Sequence, residues 1–529
     1  MTIYDDKIYM RAAWAWVFCF AIFRFFYSGA FLLSPDEANY WQWSRHMALG
    51  YHDQAPLIAW AIKLGTMLAG HTETGVRLPS VISMLIASLY LVAIAGRWTN
   101  GKTAFYTAAL SQAIPEFNFG GLLATPDGLQ AAAWAGAVYH AGRAYEKNKW
   151  SQWLKCGFWF GLGMLSKYTM VIFLPSAFFY GLFSSLHRKR LAGIRPYAGV
   201  VLGTLMFLPV IVWNAQNNWN SVRHVAYIGG ANESFALHYK YFGDFFASQA
   251  ALLSPLVFIL IIAAWFAAMK KKQLNKNWIF PFLFFTSFPM FAFFLFLSLH
   301  ARVYGNWPGA AYLGATILVA VFFAGNSKII FLNRRPGVFQ RLRPWAITLA
   351  YLFSGLVLLH AVWPALPVPI SIDRTATEIA GWRMAGDKVD KLLKSMPEPE
   401  NTFIFGLSYQ IASELAFYAP GQPDTVSINR WKRPNVYDYW QNDKNLIGRD
   451  AVGVTMEPDS HTARLGQVFE RVEPPVALEI FRKPVFYPRR SDREPSKTYY
   501  FYRAYGFKGG THWIPPDISD IRSSVTKKK

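Results

Sequence analysis

The chain has 529 residues, 53% of them hydrophobic and 17% aromatic, with a mean hydropathy of +0.17 and a formal charge of +22. A soluble chain of this length splits into several domains, whereas here the apolar residues gather in blocks of the length, about 20 residues, that crosses a bilayer. That excludes an ordinary soluble enzyme and predicts a polytopic α-helical membrane protein. The charge is uneven: residues 1–370 carry 29 Lys/Arg against 11 Asp/Glu, and residues 371–529 carry 24 against 20. In a membrane protein this balance reports topology and contact with lipid headgroups, and no basic-aromatic module for nucleic acid is present. The two cysteines, Cys19 and Cys156, lie in or beside apolar runs and make neither a disulfide framework nor a thiolate metal site.

In chain order, apolar blocks fall at 12–33, 78–96, 103–123, 128–142, 152–166, 169–186, 197–213, 245–269, 278–299, 307–324 and 345–365, with a shorter one at 56–70. The expected count is therefore about 11–13 spans, with interfacial helices beside them. The amino terminus lacks a basic region followed by a small-residue cleavage site, so residues 12–33 read as a retained span. Arg24 inside it is expected to face the bundle interior. No internal repeat and no inverted pair of broken helices is visible.

Basic residues mark alternate loops. Arg97 and Lys102 are followed by Arg143, Lys147 and Lys149, then by Arg188, Lys189 and Arg190. Lys270, Lys271, Lys272 and Lys276 continue the series, as do Lys328, Arg334, Arg335, Arg341 and Arg343. Under the positive-inside rule these loops are cytoplasmic, and the loops at 34–55, 124–127, 214–241 and 300–306 face outward. An odd number of spans also places the tail outside. The tail is polar and proline-rich, with strand-like runs at Thr402–Phe405 and Ala451–Thr455, and "FIFGLSYQIASELAFY" reads as strand, turn, helix. No G-x-G-x-x-G follows, so no dinucleotide site is expected. The predicted organisation is a membrane domain over 1–366 and a soluble α/β domain over 367–529 on the outer face of the membrane.

Function concentrates at the outward ends. In Ser34-Pro35-Asp36-Glu37, Ser34 suits an N-cap, Pro35 the first helical position and Glu37 the third residue of a capping box. Glu37 thus has a structural task, while Asp36 has none beyond complementing the helix dipole. Adjacent helical residues diverge, so the two acids are expected to point different ways. The helix, with Tyr40, Trp41 and Trp43, is expected to run to Leu49 and stop at Gly50. Thr125-Pro126-Asp127 repeats the pattern. Acids are scarce in the first 370 residues and charge near a bilayer is costly, so Asp36 and Asp127 are read as functional acids. Arg77, Lys167 and Arg302 lie at outward span ends. Each alone suits snorkelling to headgroups, and together with the acids they suit an anionic ligand such as a lipid phosphate. His52, Asp53, His224, His238 and His300 share the outer face without ligand spacing, so no metal is predicted and no cofactor is required; a divalent ion is left open.

The stretches "SPDEANYWQWSRHMALGYHDQAPLIAW", "GVRLPS", "TPDGL", "LSKY" and "RVYGNWPGAAYLG", in this order over residues 1–366, resemble the bacterial glycosyltransferase family 39, the protein-mannosyltransferase-like or ArnT-like group with the GT-C fold. The resemblance implies an inverting transferase using a polyprenyl-phosphate-linked sugar donor. Its acceptor would be lipid A, another part of lipopolysaccharide or another envelope glycan, with protein as the second option. Asp36 would be the catalytic carboxylate of the first outer loop, joined by Asp127, and substrate contacts would fall on Glu37, Tyr40, His52, Asp53, Arg77, Lys167, Arg302 and Asn306. Relatives that add aminoarabinose carry Arg after "DEA" and then "EKPPL"; here Asn39 and the Asp53-Gln54 pair stand there. The rival reading, a transporter of lipid-linked sugars, calls for charge near the midplane on repeated halves. A scaffold for an envelope complex leaves the acids and cations without a task.

Overall fold

The computed structural model describes residues 3–231, 236–269, 277–325, 337–457, 462–482 and 495–514. The basic loop at 270–276, Lys328, Arg334 and Arg335 lie outside the described residues. The chain divides into two compact units, Met1–Ala30 with Ala48–Leu359 and Phe31–Met47 with His360–Lys529. The sequence reading put its one boundary at 366/367; the unit that holds most of the tail also contains residues 31–47.

The first unit is helical. Four described helices are long and apolar enough to cross a membrane: Tyr4–Tyr27, Glu73–Trp98, Ile279–Leu297 and Gly337–Val362. Two further pairs pass the same test but are bent, Ile194–Met206 with Leu208–Gln216 by 44° and Tyr239–Leu253 with Pro255–Ala268 by 104°. The block at 245–269, expected as one span, is thus sharply bent. Ser254 has φ 68°, a left-handed conformation, and Pro255 has no N–H to continue the ladder. The block at 103–123 is also shorter than expected: α5 (Gly101–Ala113) stops before Pro115, which opens the four-residue α6 (Pro115–Asn118).

Helix α1 (Ile3–Tyr27) leaves Phe18, Ile22, Phe25 and Phe26 exposed, as suits a lipid-facing surface, but buries Arg24 as expected. Its Nη1 donates to Gln112 Oε1 at 2.6 Å, Nε to Asn118 O at 3.3 Å and Nη2 to Phe117 O at 3.3 Å. A guanidinium in an apolar bundle is tolerated only when its donors are satisfied in this way, and the outcome is that α6 is held to α1. Helix α7 (Pro126–Lys147) buries most of its length, and Ser166 Oγ at the end of α8 (Trp150–Ser166) donates to Pro126 O at 2.6 Å. Helix α8 meets Ile194–Met206 through glycines: a Cβ on Gly157 would lie 2.0 Å from the Gly199 carbonyl oxygen, so the close crossing requires small residues.

The second unit is built on a six-stranded sheet. Strand β1 (Phe403–Gly406) pairs in parallel with β2 (Thr425–Ser427) and β3 (Ala451–Thr455). The long β6 (Lys497–Phe507) runs antiparallel to β3, to β4 (Phe469–Val472) and to β5 (Val476–Ile480). The expected strand–turn–helix is present, with Ser408 capping the helix Tyr409–Tyr418 by accepting from Ile411 N. One buried cluster joins Ile404, Val452 and Val454 to Trp382, Val389 and Leu415; the other joins Phe403, Phe405 and Ala451 to Leu465, Phe469 and Phe507. Alternation along β1 and β3 therefore feeds two cores. Helix α2 (Pro35–Arg45) belongs to this unit. Leu33 N donates to the Tyr418 hydroxyl at 2.7 Å, Trp41 meets Phe417 edge-on with centroids 4.9 Å apart, and Gln42 Nε2 donates to the Tyr437 hydroxyl at 3.1 Å.

Candidate active site

Helix α2 carries the first group. Its capping box forms as expected: Ser34 N donates to Glu37 Oε2 at 2.9 Å and Ser34 Oγ at 3.2 Å. Glu37 is fully buried, Asp36 is exposed, and the two acids diverge as helical geometry requires. Tyr40 packs edge-on against Trp43. The helix ends at Arg45, four residues short of the expected Leu49. Arg45 pairs with Asp424 at 2.6 Å, and the His46 ring stacks on Trp440 at 4.3 Å, so both side chains are drawn to the sheet unit and the helix stops there.

The second group lies wholly within the first unit. Asp127, at the start of α7, accepts from Lys167 Nζ at 2.7 Å through one oxygen and from Asn306 Nδ2 at 3.2 Å through the other. Thr125 occupies the N-cap position with an extended backbone but makes no side-chain cap bond. Lys167 is the C-cap of α8, where a cation also complements the helix dipole, and its side chain is only 8% exposed. Three separate helix ends and loops thus meet at one carboxylate. Arg302 is exposed in the same loop as Asn306, with its guanidinium over the Tyr304 ring at 5.7 Å. Arg77 is fully buried in Glu73–Trp98 and donates to Ser28 O at 2.7 Å, so it braces the end of α1.

Sequence reading passed over Glu116. It sits on α6 within electrostatic reach of Asp127 and Lys167. Its Oε1 lies 2.6 Å from where a Cβ on Gly309 would stand, in the loop that carries Asn306. The available signal was one of eleven acids placed in the apolar run "AIPEFNFGG".

His52, Asp53 and His224 form a third group. His224 Nε2 lies 3.0 Å from Asp53 Oδ1, and one donor atom from each residue falls within 4.8 Å of the others. Two imidazoles and a carboxylate suit a first-row divalent ion, and these three are the residues that would hold one. Their spacing in the chain hides this, because His224 arrives from a segment about 170 residues away.

Apolar spans, bent helix pairs, a small α/β unit and a carboxylate–ammonium cluster at helix ends describe a multi-pass membrane protein with a soluble unit. Residues 53–213 match the family model described as dolichyl-phosphate-mannose-protein mannosyltransferase. Over 284 residues the chain is 25% identical to the lipid A galacturonosyltransferase RgtD of Rhizobium johnstonii, covering 54% of this chain and 59% of that protein. The chain thus spans about three fifths of the curated relative it matches. The fold is that of ArnT from Cupriavidus metallidurans in the apo state, with 15% identity and a TM-score of 0.59 over 95% of this chain and 99% of that one. ArnT bound to undecaprenyl phosphate matches at 14% identity with a TM-score of 0.62, over 93% and 97%. The resemblance to the family 39, ArnT-like group is borne out, and with it the polytopic GT-C fold carrying a C-terminal α/β unit.

Proposed function

We propose that the protein is a glycosyltransferase that moves a sugar from a polyprenyl-phosphate donor to lipid A or a related envelope glycan at the periplasmic face of the inner membrane. The observation that carries this reading is the meeting of Asp127, Lys167 and Asn306 from three separate segments. The similarity to RgtD and the fold shared with ArnT supply the donor and acceptor classes. The alternation of basic loops supports the outward orientation.

The roles follow from the chemistry. Asp36, exposed on a capped helix, takes the proton of the acceptor hydroxyl as that oxygen attacks the anomeric carbon. The bond from that carbon to the phosphate oxygen breaks in the same displacement, and the polyprenyl phosphate leaves with the electron pair. A phosphate leaving group needs charge stabilisation rather than a general acid, and the exposed Arg302 supplies it by charge-assisted contact. Lys167 is already paired, so its task is to hold Asp127 and through it the Asn306 loop. One base suffices for inversion, and no second carboxylate in glycosidase register is needed.

The test uses the full chain in nanodiscs with undecaprenyl phosphate carrying a radiolabelled sugar, galacturonic acid first, and lipid A as acceptor. Label on lipid A together with released undecaprenyl phosphate is the expected result. Passage of intact donor across a proteoliposome membrane with no new glycosidic bond would establish the transporter reading instead.

A further inference from the structure

Glu116 has no task in the reading above, yet its placement is costly and specific. The four-residue helix that carries it is fixed by Arg24, which spends two of its three hydrogen bonds on the carbonyl oxygens of Phe117 and Asn118. Asn118 Nδ2 in turn donates to Gln112 O at 2.8 Å. The flanking residues Pro115, Phe117 and Asn118 are buried, and Glu116 alone in α6 retains partial exposure. Its carboxyl group makes no hydrogen bond or ion pair among the described residues, whereas both oxygens of Asp127 are engaged. It lodges against the Cα of Gly309, where any side chain would meet Oε1 at 2.6 Å. The 306–309 turn closes on itself through Gly309 N donating to Asn306 O.

The charges decide what such a group can bind. Glu116 and Asp127 are two carboxyl groups beside a single ammonium, and that ammonium is already 2.7 Å from Asp127. A phosphate brought to Glu116 finds no free ammonium, because Lys167 is spent on Asp127, and a charge left without a partner in a poorly solvated place is costly. A hydroxyl needs no counter-charge: a carboxyl group exchanges hydrogen bonds with it whether or not it is ionised, and the Asn306 amide, on the loop against which Glu116 lodges, offers both a donor and an acceptor. Resting on the glycosyltransferase reading, we infer that Glu116 is a specificity-determining residue that, with Asn306, reads hydroxyl groups of the transferred sugar, while the phosphate is held elsewhere.

The experiment compares binding of two lipids to the full chain in nanodiscs: bare undecaprenyl phosphate, and undecaprenyl phosphate carrying galacturonic acid, galactose or glucose, whichever the parent binds most tightly. Glu116→Gln keeps the shape but replaces the carboxyl group's hydrogen-bond pattern toward hydroxyls with that of an amide. It should lower affinity for the sugar-bearing lipid about tenfold, leave bare undecaprenyl phosphate within twofold and leave thermal unfolding unchanged. Gly309→Ala, which displaces the carboxyl group without removing it, should act in the same direction and less strongly. Arg302→Ala should weaken both lipids alike. Equal losses on both lipids in Glu116→Gln would make Glu116 a phosphate contact or a prop for the fold and overturn the inference. No loss on either lipid would overturn it too. A parent chain that binds none of these lipids would bring down the glycosyltransferase reading itself, an outcome visible before any variant is made.

Discussion

The neighbouring acids of α2 permit a sharp separation of catalysis from architecture. Asp36 is exposed and proposed as the base, and Glu37 is fully buried and closes the capping box. Asp36→Asn keeps size and polarity but cannot take a proton, so turnover should fall by about 10²–10⁴, equivalent to about 3–5 kcal/mol in the barrier. Folding should be little affected, since the side chain is exposed and its complement to the helix dipole is worth about 0.3–1 kcal/mol. Glu37→Gln retains an amide oxygen for the Ser34 N–H, now 2.9 Å from Glu37 Oε2. It loses charge assistance and dipole complementarity, together about 1 kcal/mol. Glu37→Ala also leaves the Ser34 N–H without this acceptor and should cost about 2 kcal/mol. Thermal unfolding in detergent measures the structural side, and single-turnover transfer from pre-bound donor measures the chemistry. A fully active Asp36→Asn refutes the assignment of the base. A stable but inactive Glu37→Gln shows instead that the buried neighbour carries the chemistry.

Other expectations follow from the same geometry. Arg302→Ala should lower kcat/KM about tenfold to a hundredfold through loss of one charge-assisted contact, ~1.5–3 kcal/mol, with unchanged stability. Lys167→Ala should additionally destabilise the first unit, because it leaves the Asp127 carboxylate poorly solvated and without its ammonium; parental kinetics and stability in both variants would reduce these cations to headgroup contacts. In the second unit, Lys497 is buried, with its Nζ 4.4 Å from the Trp382 ring, and desolvation pulls its ammonium down to about 8 against the opposing pull of Glu414 and Glu378. The folded chain therefore binds fewer protons than the unfolded chain above that value, so stability should rise from pH 8 to about 9.5, toward a limit of about 3 kcal/mol reached near the ordinary lysine value. Lys497→Met should flatten this rise in thermal unfolding, and a parallel pH profile for parent and variant would contradict it. For orientation, with Cys19 replaced by Ser, a cysteine at Asp424 should react with an impermeant thiol reagent in intact spheroplasts and one at Lys149 should not; the reverse pattern would invert the topology.

Much of the fold was legible because bilayer physics leaves a coarse trace in sequence. Long apolar blocks, alternate basic loops and a polar tail with short strand patterns are statements about solvent, and they survive without knowing any contact. The capping box at Ser34–Glu37 was readable for a related reason: it closes within four residues, so the bonds it needs are specified by the residues that make it. The bends were less accessible. Pro255 announces that a helical bond is missing, but the 104° turn at Ser254 depends on what packs against the two halves.

Asp127, Lys167 and Arg302 were marked out by type and by the scarcity of acids, yet nothing local told Lys167 from Arg302. One is an ion-pair partner with 8% of its side chain exposed and the other is open to solvent. Arg77 looked like their equal and is instead a buried brace on Ser28.

What the sequence by itself determined is the apolar character of its blocks, the start of its capping-box helix and the inventory of scarce charges. Only the tertiary structure decided which charges meet. Asp127, Lys167 and Asn306 are separated by 40 and 139 residues, the His52–Asp53–His224 group by a similar gap, and Glu116 acquires meaning only against Gly309. Periodicity and capping are local properties of the backbone, whereas a charge pair is set by how helices cross. That crossing is decided by many small packing choices, such as the glycines of α8, none of which carries a signature of the site it creates.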